Sequence, residues 1–270
     1  MRIMSLFLAA TVGLTAVPAL SHEFWISPQT YTVPAGGQLI ADIRVGQFFE
    51  GSAYSFIPQR FTRFDLVMGD TVTPVDGRVG DRPALKMDAP ADGLVTVVHQ
   101  TGDSTLTWDD PALFDQFVRH KDFPWVLDIN KERGIPETGF SERYSRYGKS
   151  LIAVGNGEGA DREVGMETEI VALANPYTDE LPDGLPVLVL YQGKPRADTQ
   201  VEVFTKTSHG EVEDLFYRTD AEGKAMIPVK PGVEYLVDAV VMRELQQKVL
   251  KDPVWESLWA SLTFRMPEAQ

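Results

Sequence analysis

Apolar and polar residues alternate along much of this 270-residue chain with the two-residue period of a β-strand. In the first half, turn residues separate three such segments, at residues 39–45, 64–68 and 94–100. In the third segment, Val95, Val97 and His99 fall on the same face. The pattern predicts an antiparallel sheet that turns one apolar face towards a core.

Between residues 110 and 134 the apolar positions change to helical spacing. Asp110 can accept a hydrogen bond from a free amide at the start of a helix, and Pro111 suits the first helical position. Apolar side chains then recur at Leu113, Phe114, Phe117 and Val118. A second short helix is predicted from Pro124, ending before Gly134. We expect no other substantial helix in the chain.

From about residue 164 onward, short strand-like segments follow one another at regular spacing. They lie at residues 168–174, 187–191, 200–205, 215–218, 225–229, 234–241 and 261–265. Such spacing without helices is typical of an immunoglobulin-like sandwich. The fold is therefore predicted to be mainly β, with two β-sandwich domains, immunoglobulin-like or prealbumin-like, at residues 22–160 and 161–270. The first carries a short helical insertion at about residues 110–134.

The first 21 residues have the pattern of a secretory signal peptide. Arg2 is followed by an uncharged stretch from residue 3 to residue 17, and the small residues Ala19 and Ser21 precede a cleavage site. The apolar stretch is short for a membrane span, which needs about 20 residues. We expect residues 1–21 to be removed, the mature protein to reach the periplasm, and no membrane insertion after cleavage.

A segment rich in Tyr and Arg, residues 142–154, is predicted to form a long strand. Tyr144 and Arg146 lie on one face of it, and Lys149 lies on the other with Arg143 and Tyr147. Arg can bind a carboxylate through two parallel hydrogen bonds, so the strand could hold a small acid or the organic chelator of a metal. We favour a structural role instead, in which the segment pairs with acids of the second domain such as Glu167 or Glu169.

Composition excludes several classes of site. The chain contains no Cys, which excludes disulfides, zinc–thiolate sites, iron–sulfur clusters and cysteine nucleophiles. Its formal net charge is −14, and a surface of this sign repels nucleic acid and anionic lipid. No phosphate loop, Gly-x-Ser-x-Gly elbow, His-Glu-x-x-His or dinucleotide motif is present. We therefore expect a protein that is not an enzyme and that does not bind nucleic acid.

Without thiolates, a tight site for a late first-row metal must draw on the histidines, which are His22, His99, His120 and His209. After cleavage His22 becomes the first residue, so its α-amine and imidazole can chelate a metal together. His99 or His120 would add a further nitrogen. The alternatives are a core position for His99, a helix-dipole role for His120 and an exposed turn for His209. The predicted ligands are His22, His99 and His120, and the predicted metal is nickel, cobalt or copper.

Four stretches, in order along the chain, resemble a known bacterial family. They are His22-Glu23-Phe24-Trp25, residues 142–150, the turns at 193–195 and 219–223, and residues 255–264. The family is called domain of unknown function 4198 and is described as periplasmic components of cobalt or nickel uptake. A late histidine of the family has no counterpart at residues 239–242. The C-terminal half also resembles the carboxypeptidase-regulatory and collagen-adhesin B-type sandwiches.

Three functions are compatible with these residues. The resemblance implies a non-enzymatic metal-binding accessory protein, with a metal-uptake transporter or an outer-membrane receptor as its partner. The second function is a β-sandwich module that binds a partner or a ligand without metal. The third is a histidine-brace copper protein, which needs a second histidine beside His22. A cluster of His22, His99 and His120 would favour metal binding, and scattered positions would favour the module.

Overall fold

The computed structural model describes residues 23–247, 249 and 251–269. The predicted signal peptide and His22 lie outside the described residues, so the cleavage site stays a prediction. Among the described residues, no helix is long and apolar enough to cross a membrane.

The described residues form eighteen strands, two α-helices and one 3-10 turn. The strands are β1 (Glu23–Pro28), β2 (Thr32–Val33), β3 (Gln38–Gln47), β4 (Glu50–Tyr54), β5 (Phe61–Met68), β6 (Thr71–Pro74), β7 (Leu85–Asp88), β8 (Gly93–Thr101), β9 (Ser104–Trp108), β10 (Phe140–Val154), β11 (Thr168–Ala172), β12 (Leu185–Tyr191), β13 (Lys194–Pro195), β14 (Gln200–Lys206), β15 (Val212–Arg218), β16 (Lys224–Ile227), β17 (Glu234–Glu244) and β18 (Trp255–Arg265). The helices are α1 (Pro111–His120) and α2 (Trp125–Arg133), and the 3-10 turn is Pro58–Arg60.

The strands pair into three sheets. A central sheet has the order β15-β14-β17-β18-β10-β8-β5-β6, and β2 and β9 also pair with β10. Strands β1, β3, β4 and β7 form a first cover sheet, and β11, β12, β13 and β16 form a second. The 15-residue strand β10 therefore connects strands of both halves of the chain within one sheet.

The two cover sheets pack on opposite faces of the central sheet. Ile152 and Val154 of β10 belong to the core beneath the first cover sheet, whereas Leu151 belongs to the core beneath the second. Neighbouring residues of a strand point to opposite faces, so both faces of β10 are covered here. Full burial of each such side chain contributes about 1.5–3 kcal/mol. The result is two sandwiches that share one continuous sheet.

Helices α1 and α2 cover part of the face that also carries β1. Asp110 Oδ1 accepts a hydrogen bond from the backbone amide of Ala112 at 2.9 Å, which satisfies a donor at the start of α1. Phe117 of α1 stacks on Trp259 of β18, with 5.9 Å between the ring centres, and both belong to the same buried cluster. Gly134 ends α2 with a φ of 64°, a conformation that glycine adopts without strain. Both helices thus match the prediction.

Strands β10 and β18 are parallel to one another, with Glu142–Ser150 paired to Trp255–Thr263. This departs from the expected antiparallel arrangement. Parallel neighbours need a long connection, and here the connection is nearly the whole C-terminal half. The pairing is therefore a contact between the two sandwiches that local sequence patterns do not reveal.

The mainly β fold with few helices is confirmed. The predicted strands at 94–100 and 142–154 correspond to β8 and β10, and each predicted C-terminal segment overlaps a strand. The division into domains at residues 160 and 161 stays a prediction. The central sheet continues through both halves, so the two sandwiches are joined by backbone hydrogen bonds.

Candidate functional site

Four carboxylates and one lysine converge on the face of the central sheet that β1 and α1 cover. Glu202 of β14 and Asp238 of β17 are directly paired in the ladder, so their side chains share one face. Glu23 reaches them from the start of β1, and Lys121 reaches them from the residue after α1. We call Glu23, Glu202, Asp214 and Asp238, together with His120 and Lys121, the acidic cluster.

Lys121 lies at the centre of the acidic cluster. Its Nζ is 3.1 Å from Glu23 Oε1 and 3.1 Å from Asp238 Oδ2, and it also contacts Glu202 Oε2. The side chain is buried, and its Nζ stands 4.8 Å from the centre of the Trp259 ring. A buried ammonium is tolerated only when it is paired in this way.

The end of α1 is fixed against the central sheet, which positions His120 and Lys121. Gln200 Nε2 donates a hydrogen bond to the His120 carbonyl oxygen at 2.7 Å. Two residues after His120, Asp122 pairs with Arg218 of β15 at 2.6 Å. These contacts tie the helix end to β14 and β15, so the two side chains face the acidic row of the sheet.

His120, Glu202 and Asp214 form the part of the acidic cluster that can bind a metal. His120 Nε2 is 2.8 Å from Glu202 Oε1, and one ligand atom from each of the three residues lies within 4.8 Å of the other two. Glu202 is buried, whereas His120 and Asp214 are half-buried. The group is thus accessible from solvent on one side and anchored on the other.

The acidic cluster holds more carboxylates than cationic groups, and this shifts the pKa values of its members. Burial, together with repulsion from neighbouring acids, raises the pKa of Asp238 to about 7 and that of Asp214 to about 6. Burial would also raise the pKa of Glu202, but the His120 hydrogen bond and the charge of Lys121 outweigh it, so that pKa is lowered. The hydrogen bond to Glu202 raises the pKa of His120.

The pKa of Lys121 shows the same surplus of acid. Burial would lower it, but the charges of Asp238, Glu23 and Glu202 raise it well above the ordinary value. Lys121 is therefore a fixed positive charge at the centre of the cluster. One ammonium cannot neutralise four carboxylates.

Several buried oxygen atoms of the acidic cluster have no hydrogen-bond partner among the described residues. They are Glu23 Oε2, Asp214 Oδ1 and Asp238 Oδ1, with Ser261 Oγ on the neighbouring strand. Unpaired buried acceptors are costly, about 1–3 kcal/mol each and more when charged. Protons or a bound cation would satisfy them.

A match to a family model places the chain among known proteins. The family is described as Domain of unknown function (DUF4198), and the match covers residues 19–243. The chain belongs to this family. No curated protein matches it.

One similar solved structure is a tetra-tandem repeat in the extending region of a large adhesion protein. It has 11% sequence identity and a TM-score of 0.19 to this DUF4198 chain. The comparison covers 90% of this chain and 49% of the other, so the chain spans about half the length of that protein. A likeness at this level carries no argument about function.

His99 lies apart from His120 in this DUF4198 protein. It is 3% exposed and is surrounded by the rings of Phe24, Phe61 and Phe64 at 5.0–5.3 Å. Burial lowers the pKa of His99 to about 3, so the imidazole is neutral. The structure does not bring His99 and His120 into one cluster, which by itself favours the module, whereas the grouping of His120 with Glu202 and Asp214 favours metal binding. A metal role for His99 stays an untested prediction, as does that of His22, which lies outside the described residues.

The remaining predicted positions have structural surroundings. His209 is exposed in a turn. Lys149 pairs with Asp161 at 2.8 Å and with Glu169 at 3.1 Å, which confirms the predicted pairing of its strand with Glu169. Arg143 instead pairs with Glu256 at 2.6 Å. The face of β10 that carries Arg143 and Lys149 thus pairs with acids.

Sequence reasoning missed the acids of the cluster. Glu202 and Asp238 lie in segments that were predicted as strands of a sandwich, and the outward face of such a strand commonly carries acids. Asp238 nevertheless interrupts an apolar run from Tyr235 to Met242, and a charged residue inside such a run signals a buried polar site. No local pattern in the sequence indicates that Lys121 would contact both Glu202 and Asp238.

Proposed function

We propose that this protein is an exported, non-enzymatic, metal-binding accessory protein that takes one divalent transition metal, nickel, cobalt or copper, as its cargo. The proposed ligands are His120, Glu202 and Asp214, with His22 of the mature N-terminus as a further donor. The periplasm is the proposed location, which follows from the predicted signal peptide.

The observation that carries this proposal is the convergence of His120, Glu202 and Asp214 in a region with excess negative charge. Metal–ligand distances near 2.0–2.2 Å place two ligand atoms on one ion roughly 4 Å apart at most. The three ligand atoms already lie within 4.8 Å of one another. Small rotations of half-buried side chains would therefore bring them into coordination range.

The charges support a divalent cation. Glu202 and Asp214 supply two negative charges, and the neighbouring acids Glu23 and Asp238 add more than Lys121 neutralises. Imidazole suits nickel, cobalt and copper better than calcium or magnesium. A single imidazole with carboxylates is also a weak set for these metals, so an additional nitrogen donor is needed for tight binding.

His22 is the candidate for that nitrogen donor. It is bonded to Glu23, whose carboxylate contacts Lys121 at 3.1 Å, and consecutive Cα atoms are about 3.8 Å apart. If cleavage exposes His22, it offers an α-amine and an imidazole. This arrangement would give a site of mixed nitrogen and oxygen ligands, and we prefer it to a histidine brace because the acidic cluster supplies carboxylates beside a single imidazole.

The half-buried position of His120 and Asp214 suits a protein that passes metal on. A partner could reach these two ligands without unfolding the sandwich. We propose a metal-uptake transporter or an outer-membrane receptor as this partner. In this proposal the C-terminal sandwich, with its resemblance to collagen-adhesin B-type modules, is the scaffold that holds three of the four acids.

Calorimetric titration of Ni²⁺ and Cu²⁺ into metal-free protein with its native N-terminus tests the proposal. We expect one site, with affinity at least about tenfold lower in His120→Asn and in Asp214→Asn, since each removes one ligand. His209→Asn is the matched control because His209 is exposed in a turn, and its affinity should equal that of the wild type.

Two outcomes would contradict the proposal. Equal affinity in wild type, His120→Asn and Asp214→Asn would place the metal elsewhere. The absence of binding in the wild type would favour a module that binds a partner or ligand without metal. His22→Ala, with the same start, separates a contribution of the N-terminal side chain from that of the cluster.

A further inference from the structure

A cleft of about 370 Å³ opens between the first cover sheet and the central sheet. Phe24 lines it, while the preceding residue Glu23 belongs to the acidic cluster. Successive residues of a strand point to opposite faces, so β1 separates the cleft from the cluster. The two sites therefore have different walls and can be tested separately.

Apolar and aromatic side chains make up about half of the lining of the cleft, and polar side chains and Gly102 make up the rest. Ile43, Val45 and Ile57 supply aliphatic surface, and Phe24, Phe61 and Tyr144 supply rings. Clefts of this volume and composition are typical of small-molecule sites. The rings favour a flat ligand, since aromatic groups gain additional stabilisation from offset or edge contacts.

Two polar side chains of the central sheet, Arg146 and His99, lie beside the aliphatic and aromatic residues of the cleft. Arg146 of β10 has its guanidinium 4.7 Å from the centre of the Tyr144 ring, which holds its plane in place. His99 of β8 is 3% exposed and lines the cleft, and its Nδ1 has no hydrogen-bond partner among the described residues. A neutral imidazole has one donor and one acceptor, and the cleft is where a ligand can approach this ring.

The charges of the cleft favour an anion. Arg146 lies at its inner wall, and Arg60 and Asp103 lie exposed among its other lining residues, so the balance is positive on a chain whose net charge is −14. A guanidinium binds a carboxylate through two parallel hydrogen bonds. Cations are disfavoured because the only carboxylate in the lining is the exposed Asp103.

From these contacts we infer that the cleft binds a small aromatic carboxylic acid. The carboxylate pairs with the guanidinium of Arg146, and the ring lies among Phe24, Phe61 and Tyr144. The His99 imidazole, on the same wall, offers a hydrogen bond to a polar substituent of the ring. The proposed metal ligands His120, Glu202 and Asp214 are not among the residues that line the cleft.

Methyl NMR of the metal-free protein titrated with benzoate tests the inference. Ile43, Val45 and Ile57 line the cleft and should show saturable shifts, whereas Ile170 of the other core should not. Benzyl alcohol is the neutral counterpart of benzoate. We expect it to bind at least about tenfold more weakly, because it lacks the charge-assisted pair with Arg146.

Two variants complete the test. Arg146→Met should weaken benzoate binding about tenfold and leave benzyl alcohol unchanged. Gly102→Leu should block both probes, because Gly102 lines the cleft and a Cβ there meets only the Arg60 carbonyl oxygen at 3.8 Å, an ordinary contact. This second variant keeps the test decisive if Arg146→Met does not fold.

The inference is overturned if benzoate causes no saturable shift up to about 10 mM, a concentration above the weak end of specific binding. It is also overturned if benzoate and benzyl alcohol bind equally, or if Gly102→Leu binds benzoate like the wild type. Because all samples are metal-free, none of these results depends on whether the acidic cluster binds metal.

Discussion

Lys121 and Lys149 are both buried lysines that contact carboxylates, yet their surroundings differ. Lys149 meets two acids, Asp161 at 2.8 Å and Glu169 at 3.1 Å, and also donates to the Arg162 carbonyl oxygen. The acids are satisfied as well. Backbone amides donate to both of them, and the Thr96 hydroxyl donates to Asp161.

Lys121 meets three acids instead of two, and Asp214 stands nearby as a fourth. Oxygens of Glu23, Asp214 and Asp238 lack partners among the described residues. Among the described residues, no backbone amide donates to the side chains of Glu23, Asp214 or Asp238. The acids around Lys149 therefore have their hydrogen bonds, whereas several oxygens of the acids around Lys121 do not.

The two lysines thus differ in how completely the acids around them are hydrogen-bonded. Around Lys149, one ammonium faces two carboxylates, but the hydrogen bonds of both acids are complete, which is what stability requires of buried charges. Around Lys121 they are incomplete, and an additional cation would complete them. Incomplete pairing of buried acids, more than burial or charge alone, is what supports the proposal that the acidic cluster binds a cation.

Lys149→Met should have the largest effect on stability. It leaves Asp161 and Glu169 buried without their cation, and breaking a buried pair in this way costs about 3–5 kcal/mol. Urea unfolding of metal-free protein measures it. Lys131→Met is the control, because Lys131 pairs with Asp128 on an exposed surface, and it should change stability by less than about 0.5 kcal/mol. A loss below about 1 kcal/mol for Lys149→Met would contradict the structural assignment.

Lys121→Met should destabilise metal-free protein by about 3 kcal/mol, for the same reason. Here, however, metal can replace the missing charge. Ni²⁺ at about 100 times its dissociation constant stabilises a protein by about 2.7 kcal/mol. We expect a larger gain in Lys121→Met than in wild type, and no such excess in Lys149→Met. Equal gains in all three proteins would show that the metal site is not linked to Lys121.

The pH dependence of stability in Asp238→Asn tests whether the acidic cluster carries surplus negative charge. The folded pKa of Asp238 is about 7 against an ordinary 3.8, so the folded state binds the proton more tightly. This contribution to stability is present below the unfolded pKa and is lost as the pH rises through 7. Asn does not titrate, so the variant should be more stable than wild type at pH 8 by about 1–2 kcal/mol and flatter across pH 5–8. Asp76→Asn, on the exposed surface, should follow the wild-type curve.

Metal affinity should fall as the solution is acidified. Protons compete for Asp214, whose pKa is raised to about 6, and for His120, whose pKa is raised by Glu202. The neighbouring charges of Lys121, Glu23 and Asp238 also face these ligands. We expect about a tenfold loss of Ni²⁺ affinity between pH 7.5 and pH 6 by calorimetry, and a shallower loss in His120→Asn. An affinity that does not change with pH would exclude both ligands.

Much of the fold was predictable because it depends on local patterns. Alternation located β8 and most C-terminal strands, and Asp110 with Pro111 located the start of α1. The parallel contact of β10 with β18 was not predictable, since its register is set by partners about a hundred residues apart. That contact joins the two sandwiches in one sheet.

The candidate site was predictable only in part. His120 was identified as a candidate ligand from its residue type, but its partners Glu202 and Asp214 lie about eighty residues or more further along the chain. An acid on the open face of a predicted strand looks solvent-exposed until β1 and α1 cover it. The three residues come together only through the tertiary packing of α1 against β14 and β15, so no spacing along the chain predicts their contact.

The smallest effect is expected at His99, the histidine that stands apart from His120. His99→Phe replaces a neutral, buried ring whose Nδ1 is unpartnered in the described structure with an apolar ring among three phenylalanines. Removing an unsatisfied polar group is close to neutral, and the adjoining cleft can accommodate the larger ring. We expect a stability change within about 1 kcal/mol at neutral pH and unchanged Ni²⁺ affinity, measured by urea unfolding and calorimetry. His120→Asn, compared in the same experiments, should lower the affinity for Ni²⁺. A loss of metal affinity in His99→Phe of the same size would mean that His99 takes part in metal binding after all.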